Sequence, residues 1–308
     1  MRNMFKLGVI TDEVSQDFEI AVTFAKKNQL DFVEIRSVWD KPPQDLTPAN
    51  IKQMQEILNR AGLTVICIAS PVFKCHIEKQ DEYLLHLDIL KRAIDLAHQF
   101  NTDILRIFTF WKKENMTLDR NWDLLIDRFG PAIEIAKQEQ IKLAIENENS
   151  CLISTGKELH RFLEVLNSGT VYALWDPCNE IFAGVTEPPY PNGYKPIADR
   201  TIHIHIKDAI RESNPKSEIR NPKLSEGGTP KCVPIGDGWI DWEGQLKALI
   251  DNNYTGGASL ETHWRPQKEL AESSLVRPGG SEFSSLGEEA SQICLDRIFN
   301  ILHNLNLR

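Results

Sequence analysis

Eight times along this chain a short apolar run rich in β-branched residues is followed by a segment of helical periodicity, and no other feature limits its folding options as much. The runs cover residues 5–11, 31–37, 63–70, 103–110, 142–148, 171–176, 201–207 and 258–263. The segments between them carry helix punctuation. Thr47 and Pro48 suit the N-cap and first helical position ahead of Ile51, Met54, Ile57 and Leu58, with Gly62 just past the end. Thr155 and Glu158 have capping-box spacing, and a last helix is expected over 287–303. Eight β/α units admit a closed barrel or a doubly wound open sheet. Where a dinucleotide-binding sheet would place a glycine-rich loop after its first strand, this chain has Thr11-Asp12-Glu13-Val14-Ser15. The expectation is therefore an α/β protein: one (β/α)8 barrel spanning 1–308 as a single domain. Two stretches, 212–238 and 267–285, are too long for ordinary connections, and the first is expected to be functional.

Charge and cysteine usage narrow the partners. A net charge of −9 speaks against a nucleic-acid or anionic-membrane surface. No run approaches 18 uninterrupted apolar residues, and acids at Asp12 and Glu13 interrupt any signal-peptide core, so a cytoplasmic protein with no membrane partner is expected. Cys67, Cys75, Cys151, Cys178, Cys232 and Cys294 are scattered and read as reduced thiols. A homo-oligomer is compatible with this surface, but no residue pattern specifies one.

The polar residues fall where barrel enzymes carry their chemistry, at the C-terminal strand ends. In Thr201-Ile202-His203-Ile204-His205-Ile206-Lys207 the isoleucines share one face, expected to pack on helices, and His203, His205 and Lys207 share the inward one. Strand five alternates Leu143, Ile145 and Asn147 against Ala144, Glu146 and Glu148. Asp176 ends strand six and Glu261 lies in strand eight. Charges inside a barrel are costly unless paired or bound to metal. Three acids with an imidazole would suit one divalent ion, Mn²⁺ or Mg²⁺ by preference, with Co²⁺, Fe²⁺ or Zn²⁺ admitted. Glu146 and Glu148 compete for the strand-five place.

Taken in order, Ile145-Glu146-Asn147, Asp176 with Asn179 three residues on, His203-x-His205, Arg211, Gly236-Asp237-Gly238-Trp239-Ile240-Asp241-Trp242 and Leu260-Glu261 form a recognisable set. It resembles the sugar phosphate isomerase/epimerase superfamily, the xylose-isomerase-like TIM barrels that include ketose 3-epimerases and inosose dehydratases. The resemblance implies that Glu146, Asp176, His205 and Glu261 take the metal positions; Asn147 favours Glu146 over Glu148. It also implies that Arg211 contacts substrate. The epimerases carry a histidine where this chain has Asn179, which can bind a hydroxyl but cannot take up a proton.

The expected activity is a metal-dependent sugar isomerase or epimerase. A proton leaves the carbon beside a carbonyl of a keto-sugar or polyol, and the metal stabilises the enediolate. Glu146 and Glu261 serve as base and acid, while His203, Lys207, Arg211, Asn179, Lys74 and Glu148 hold substrate oxygens. Arg36 is assigned either to substrate or to an ion pair, and Trp111 either to the pocket wall or to packing. The alternative keeps the site and changes the outcome: a lyase of the inosose-dehydratase type expels a β-hydroxyl or an aglycone. Nuclease action on abasic sites, known on this fold, would need more histidines at strand ends and a basic surface. A binding module without catalysis would have no use for so complete a ligand set.

Overall fold

The structure is a computed structural model, which describes residues 5–211, 229–266 and 286–305. Eight parallel strands close into a barrel: β1 (Lys6–Ile10), β2 (Phe32–Ile35), β3 (Thr64–Ala69), β4 (Ile104–Ile107), β5 (Lys142–Glu146), β6 (Val171–Trp175), β7 (Thr201–Ile206) and β10 (Gly257–Leu260). The ring closes where Lys6 to Val9 of β1 pair with Gly257 to Leu260 of β10. Each expected strand lies where the periodicity placed it, but several run on too far in the sequence reading. The ladders stop at Glu146, Trp175, Ile206 and Leu260, so Glu148, Asp176, Lys207 and His263 have already left the sheet.

Helix punctuation follows the sequence. Thr47 caps Pro48–Ala61, its side chain accepting from the Asn50 amide, and Gly62 adopts the left-handed conformation (φ 71°) that ends the helix. Thr155 and Glu158 form a complete capping box on Gly156–Leu166. The last helix is Gly287–Asn304. Among the described residues no helix is long and apolar enough to cross a membrane, and all six cysteines are free thiols.

The main apolar core lies between the barrel and its helices, and Ile204 and Ile206 belong to it as expected. Ile202 departs from that reading. Ala173 pairs with Thr201 and Leu174 with His203, leaving Ile202 as the extra residue of a bulge. Ile202 accordingly packs with Ile66 against Cys67, Ile104, Ala144 and Leu174, the small second core inside the barrel.

A two-stranded antiparallel ribbon, β8 (Asp208–Arg211) with β9 (Pro230–Val233), follows β7. β9 thus falls within the long segment 212–238; residues 212–228, and all of 267–285, lie outside the described residues. The ribbon escaped notice because no tight-turn signal joins its arms. It is anchored by the buried Asp208 carboxylate, which accepts from the backbone amides of Ala209, Gly236, Gly238 and Ile240.

Candidate metal centre

Strand ends bring four ligand-bearing side chains to one point. Glu146 is the last residue of β5, His205 lies near the end of β7, and Glu261 directly follows β10. Asp176 follows β6 and caps the helix Pro177–Phe182, its Oδ1 accepting from the Cys178 and Asn179 amides. That duty occupies Oδ1 and leaves Oδ2 to the cluster. Glu146, Asp176, His205 and Glu261 each offer one ligand atom, and these atoms lie within 4.8 Å of one another. All four side chains are buried. Asp176 Oδ2 and His205 Nδ1 have no hydrogen-bond partner, which is expensive for polar atoms sealed from water. A donor set of three carboxylates and one imidazole, two of whose ligand atoms make no hydrogen bond, fits a divalent cation.

The centre is wrapped in counter-charges. Arg106 donates to Glu146 Oε2 (2.7 Å) and Asn179 Nδ2 to Glu146 Oε1 (3.0 Å). Lys207 Nζ stands 2.9 Å from Glu261 Oε2 and 2.7 Å from Asp176 Oδ2, the latter outside hydrogen-bond alignment. Arg36 donates to Glu261 Oε1 (2.5 Å) and also binds Asp12 and Glu13. Burial opposes ionisation of Glu146, but Arg106 and His205 outweigh it and hold the carboxyl down to about 2. Burial wins at Asp176 and pushes its carboxyl up to about 7, against the pull of Lys207. Burial would lower His205, yet Glu34, Glu261 and Glu146 around the ring hold it well above the usual imidazole range.

Several residues expected to hold substrate are committed elsewhere. His203 is fully buried and donates or accepts only within the barrel, at Glu34 Oε2 (2.7 Å) and Ser259 Oγ (3.0 Å). This inward position, two residues before His205 on the same strand, lies one layer deeper in the barrel. Arg211 spends Nε and a terminal nitrogen on the Ile181 carbonyl. Asn179 uses its amide on Glu146 and the Asn147 carbonyl. Glu148, beyond the end of β5, is not a member of the four-residue cluster and pairs with Lys74 at 3.2 Å. Lys74 also lies 4.2 Å over the Phe108 ring. Lys74 and Glu148 remain partly open, at 22% and 15% side-chain exposure. Trp111 packs edge-on against His76 and is 37% exposed. Cys178 is a fully buried thiol.

Four participants went unnoticed in the sequence: Asp12, Glu13, Glu34 and Arg106, all buried. The signal was there for two of them, as a single charge inside an otherwise apolar strand: Phe32-Val33-Glu34-Ile35 and Ile104-Leu105-Arg106-Ile107. Asp12 and Glu13 sit on a short helix after β1, where sequence gives no periodicity to orient them.

The chain has relatives of known name. A clostridial inosose dehydratase (Clostridium perfringens strain 13) is 27% identical over 85% of this chain and 79% of its own length. A second, from C. perfringens ATCC 13124, is 26% identical but matches over only 48% of this chain and 49% of its own length. Among solved structures, the IolI protein with a bound zinc atom superposes with a TM-score of 0.72 at 17% identity, covering 97% of this chain and 99% of that one. The 3-keto-D-glucoside 4-epimerase YcjR from E. coli gives 0.65 at 16%, over 96% and 98%. These two likenesses concern the fold. The family model described as xylose isomerase-like TIM barrel matches residues 22–277. The chain therefore belongs to the xylose isomerase-like TIM-barrel family.

Proposed function

We propose that this enzyme removes a proton beside the carbonyl of a cyclic keto-polyol or keto-sugar and then expels a β-oxygen substituent, as a metal-dependent lyase. The observation that carries the reading is the convergence of Glu146, Asp176, His205 and Glu261, all buried, with no hydrogen bond made by Asp176 Oδ2 or His205 Nδ1. A divalent cation held by these four residues would supply Lewis-acid polarisation of the carbonyl oxygen. The hard ligand set favours Mn²⁺ or Mg²⁺ over Zn²⁺, which is the ion bound in the IolI structure.

The two glutamates are not equivalent. Both carry a hydrogen-bond donor on each oxygen, Arg106 and Asn179 on Glu146 and Arg36 and Lys207 on Glu261, but only the Glu261 set includes a group that can give up a proton. Glu261 borders both the cluster and Lys207, so it takes the carbon-bound proton. Once neutralised, Glu261 no longer holds the ammonium of Lys207, whose Nζ gives a proton to the departing hydroxyl and forms water. Proton return from Glu261 to Lys207 across the 2.9 Å contact restores both groups. Lys74 and Glu148, both partly open, bind ring hydroxyls. The similarity to inosose dehydratases over most of the chain supports elimination.

Epimerisation is the second reading, favoured by the placement of two carboxylates, Glu146 and Glu261, around one centre. Product mass separates the two. The first experiment is metal content and metal-dependent melting of wild type beside Glu261→Gln, after chelation and re-addition of Mn²⁺, Mg²⁺, Co²⁺ or Zn²⁺. The loaded enzyme is then screened on keto-polyols and keto-sugars by mass spectrometry. One equivalent bound, weaker binding in the variant and a product lighter by water support the lyase. An unchanged mass points to epimerisation or isomerisation, and no bound ion with any metal refutes the centre.

A further inference from the structure

Glu34 enters the barrel interior from β2, on the far side of its ring from β6, and is fully buried. Its two oxygens meet two imidazoles. Oε2 lies 2.7 Å from His203 Nε2 and Oε1 lies 3.1 Å from His205 Nε2. The rings stand at 89° to each other with centroids 5.6 Å apart, so each nitrogen addresses its own carboxylate oxygen. His203 Nε2 is also 3.0 Å from Ser259 Oγ on β10, which ties the arrangement to a third strand. An ionised carboxylate can only accept hydrogen bonds. Both contacts therefore require a hydrogen on Nε2, and in the neutral ring of His205 that leaves the lone pair on Nδ1. This same Nδ1 is the buried atom without a hydrogen-bond partner, 3.2 Å from Glu261 Oε2 and 3.7 Å from Glu146 Oε1.

We propose that Glu34 is the positioning residue of the centre: it fixes the tautomer and ring angle of His205 so that Nδ1, not Nε2, is the ligand atom, while His203 holds Glu34 in place. The inference rests on the metal reading above and assigns a role to a residue outside the ligand set. Carboxylates behind metal-bound imidazoles characteristically act this way, and their loss weakens metal binding 10–100-fold. The amide of Glu34→Gln has one accepting and one donating end. It can serve one imidazole as before only by driving the other towards the opposite tautomer.

The test is calorimetric titration of metal-stripped wild type and Glu34→Gln with Mn²⁺ and Zn²⁺, alongside nitrogen NMR of ¹⁵N-histidine-labelled protein. Expected is a dissociation constant on the order of 10–100-fold weaker in the variant, with its histidine tautomer pattern changed. Equal affinity and an unchanged pattern in Glu34→Gln would overturn the positioning role while leaving the metal centre standing. Failure of wild type to bind either ion would sink the metal reading, and this inference with it. The wild type alone also decides the point if the variant does not fold. Zinc-loaded protein must show His205 with hydrogen on Nε2 and metal on Nδ1, and the reverse assignment overturns the proposal.

Discussion

Arg106 offers the sharpest check on how this barrel tolerates its interior charges. Its guanidinium is 2.7 Å from Glu146 Oε2, donates to the Ala69 carbonyl at 2.9 Å and lies over Phe108, with 7% side-chain exposure for the arginine and 2% for the glutamate. Arg106→Met keeps an apolar stem of similar reach and strands the Glu146 charge. Breaking a buried pair from one side costs roughly 3–5 kcal/mol, because the remaining charge is left unpaired in a poor solvent. Unfolding entropy of about 2.1 cal/mol/K per residue gives roughly 650 cal/mol/K for this chain, so the loss corresponds to a melting temperature lower by about 5–8 °C. Removing both charges leaves nothing stranded, and Asn179 Nδ2 can still donate to a glutamine oxygen at position 146. The Arg106→Met/Glu146→Gln double variant should therefore be more stable than the two single losses sum to, by about 1–3 kcal/mol. The assay is a four-member cycle of calorimetric melting in chelator, so that no ion substitutes for Arg106. Additive single effects, or an Arg106→Met variant that melts with wild type, would refute the view that this pair neutralises the Glu146 carboxylate.

Three further substitutions probe the frame around the site. His86 accepts the Phe73 amide at Nδ1 (2.8 Å), and burial pushes its imidazole down to about 4. The unfolded chain takes up a proton near pH 6.5 while the folded one does not, so stability is full above that pH and falls between 6.5 and about 4. The fall is at most ~1.4 kcal/mol per pH unit, and less for the part of the ring that solvent screens. His86→Leu, followed by urea denaturation across that window, should flatten this slope; an unchanged slope contradicts the assignment. Thr155→Ala removes the side-chain half of the capping box on Gly156–Leu166, leaving the Thr155 amide on Glu158, and should cost about 1 kcal/mol in the same assay; no measurable change would show that the threonine hydroxyl contributes nothing there. A Cβ at Gly238 would run into the Asp208 carboxylate and the Ala209 carbonyl, so Gly238→Ala should cost ~1–3 kcal/mol and raise amide exchange at Gly236 and Ile240. Wild-type exchange rates in that variant would mean the loop is not held through Asp208.

Much of this protein could be read from sequence because local rules act on consecutive residues. Strand positions followed from apolar runs, and two helix starts from a capping threonine, followed by Pro48 in one case and by Glu158 three residues on in the other. The inward pair Glu146 and His205 followed from the two-residue period of a strand, which fixes facing as soon as the strand is recognised. The same rule fails where the chain leaves the ladder. Glu148 and His263 share the parity of inward residues but lie beyond the last paired position, so their direction is set by loop contacts instead. Parity also cannot tell depth: His203 and His205 share the inward face, and only the barrel places His203 one layer below, on Glu34 and Ser259. Ile202 was misread for a related reason: a bulge depends on how two strands count against each other, and neither strand records that count alone. Most of all, sequence identified groups while tertiary structure assigned their partners. Arg106 with Glu146, Arg36 with Glu261 and Glu34 with two histidines are separated by 40, 225 and, for the nearer histidine, 169 residues. Which buried charge neutralises which depends on distances of a few ångströms inside a closed ring, and those distances exist only once all eight strands have met.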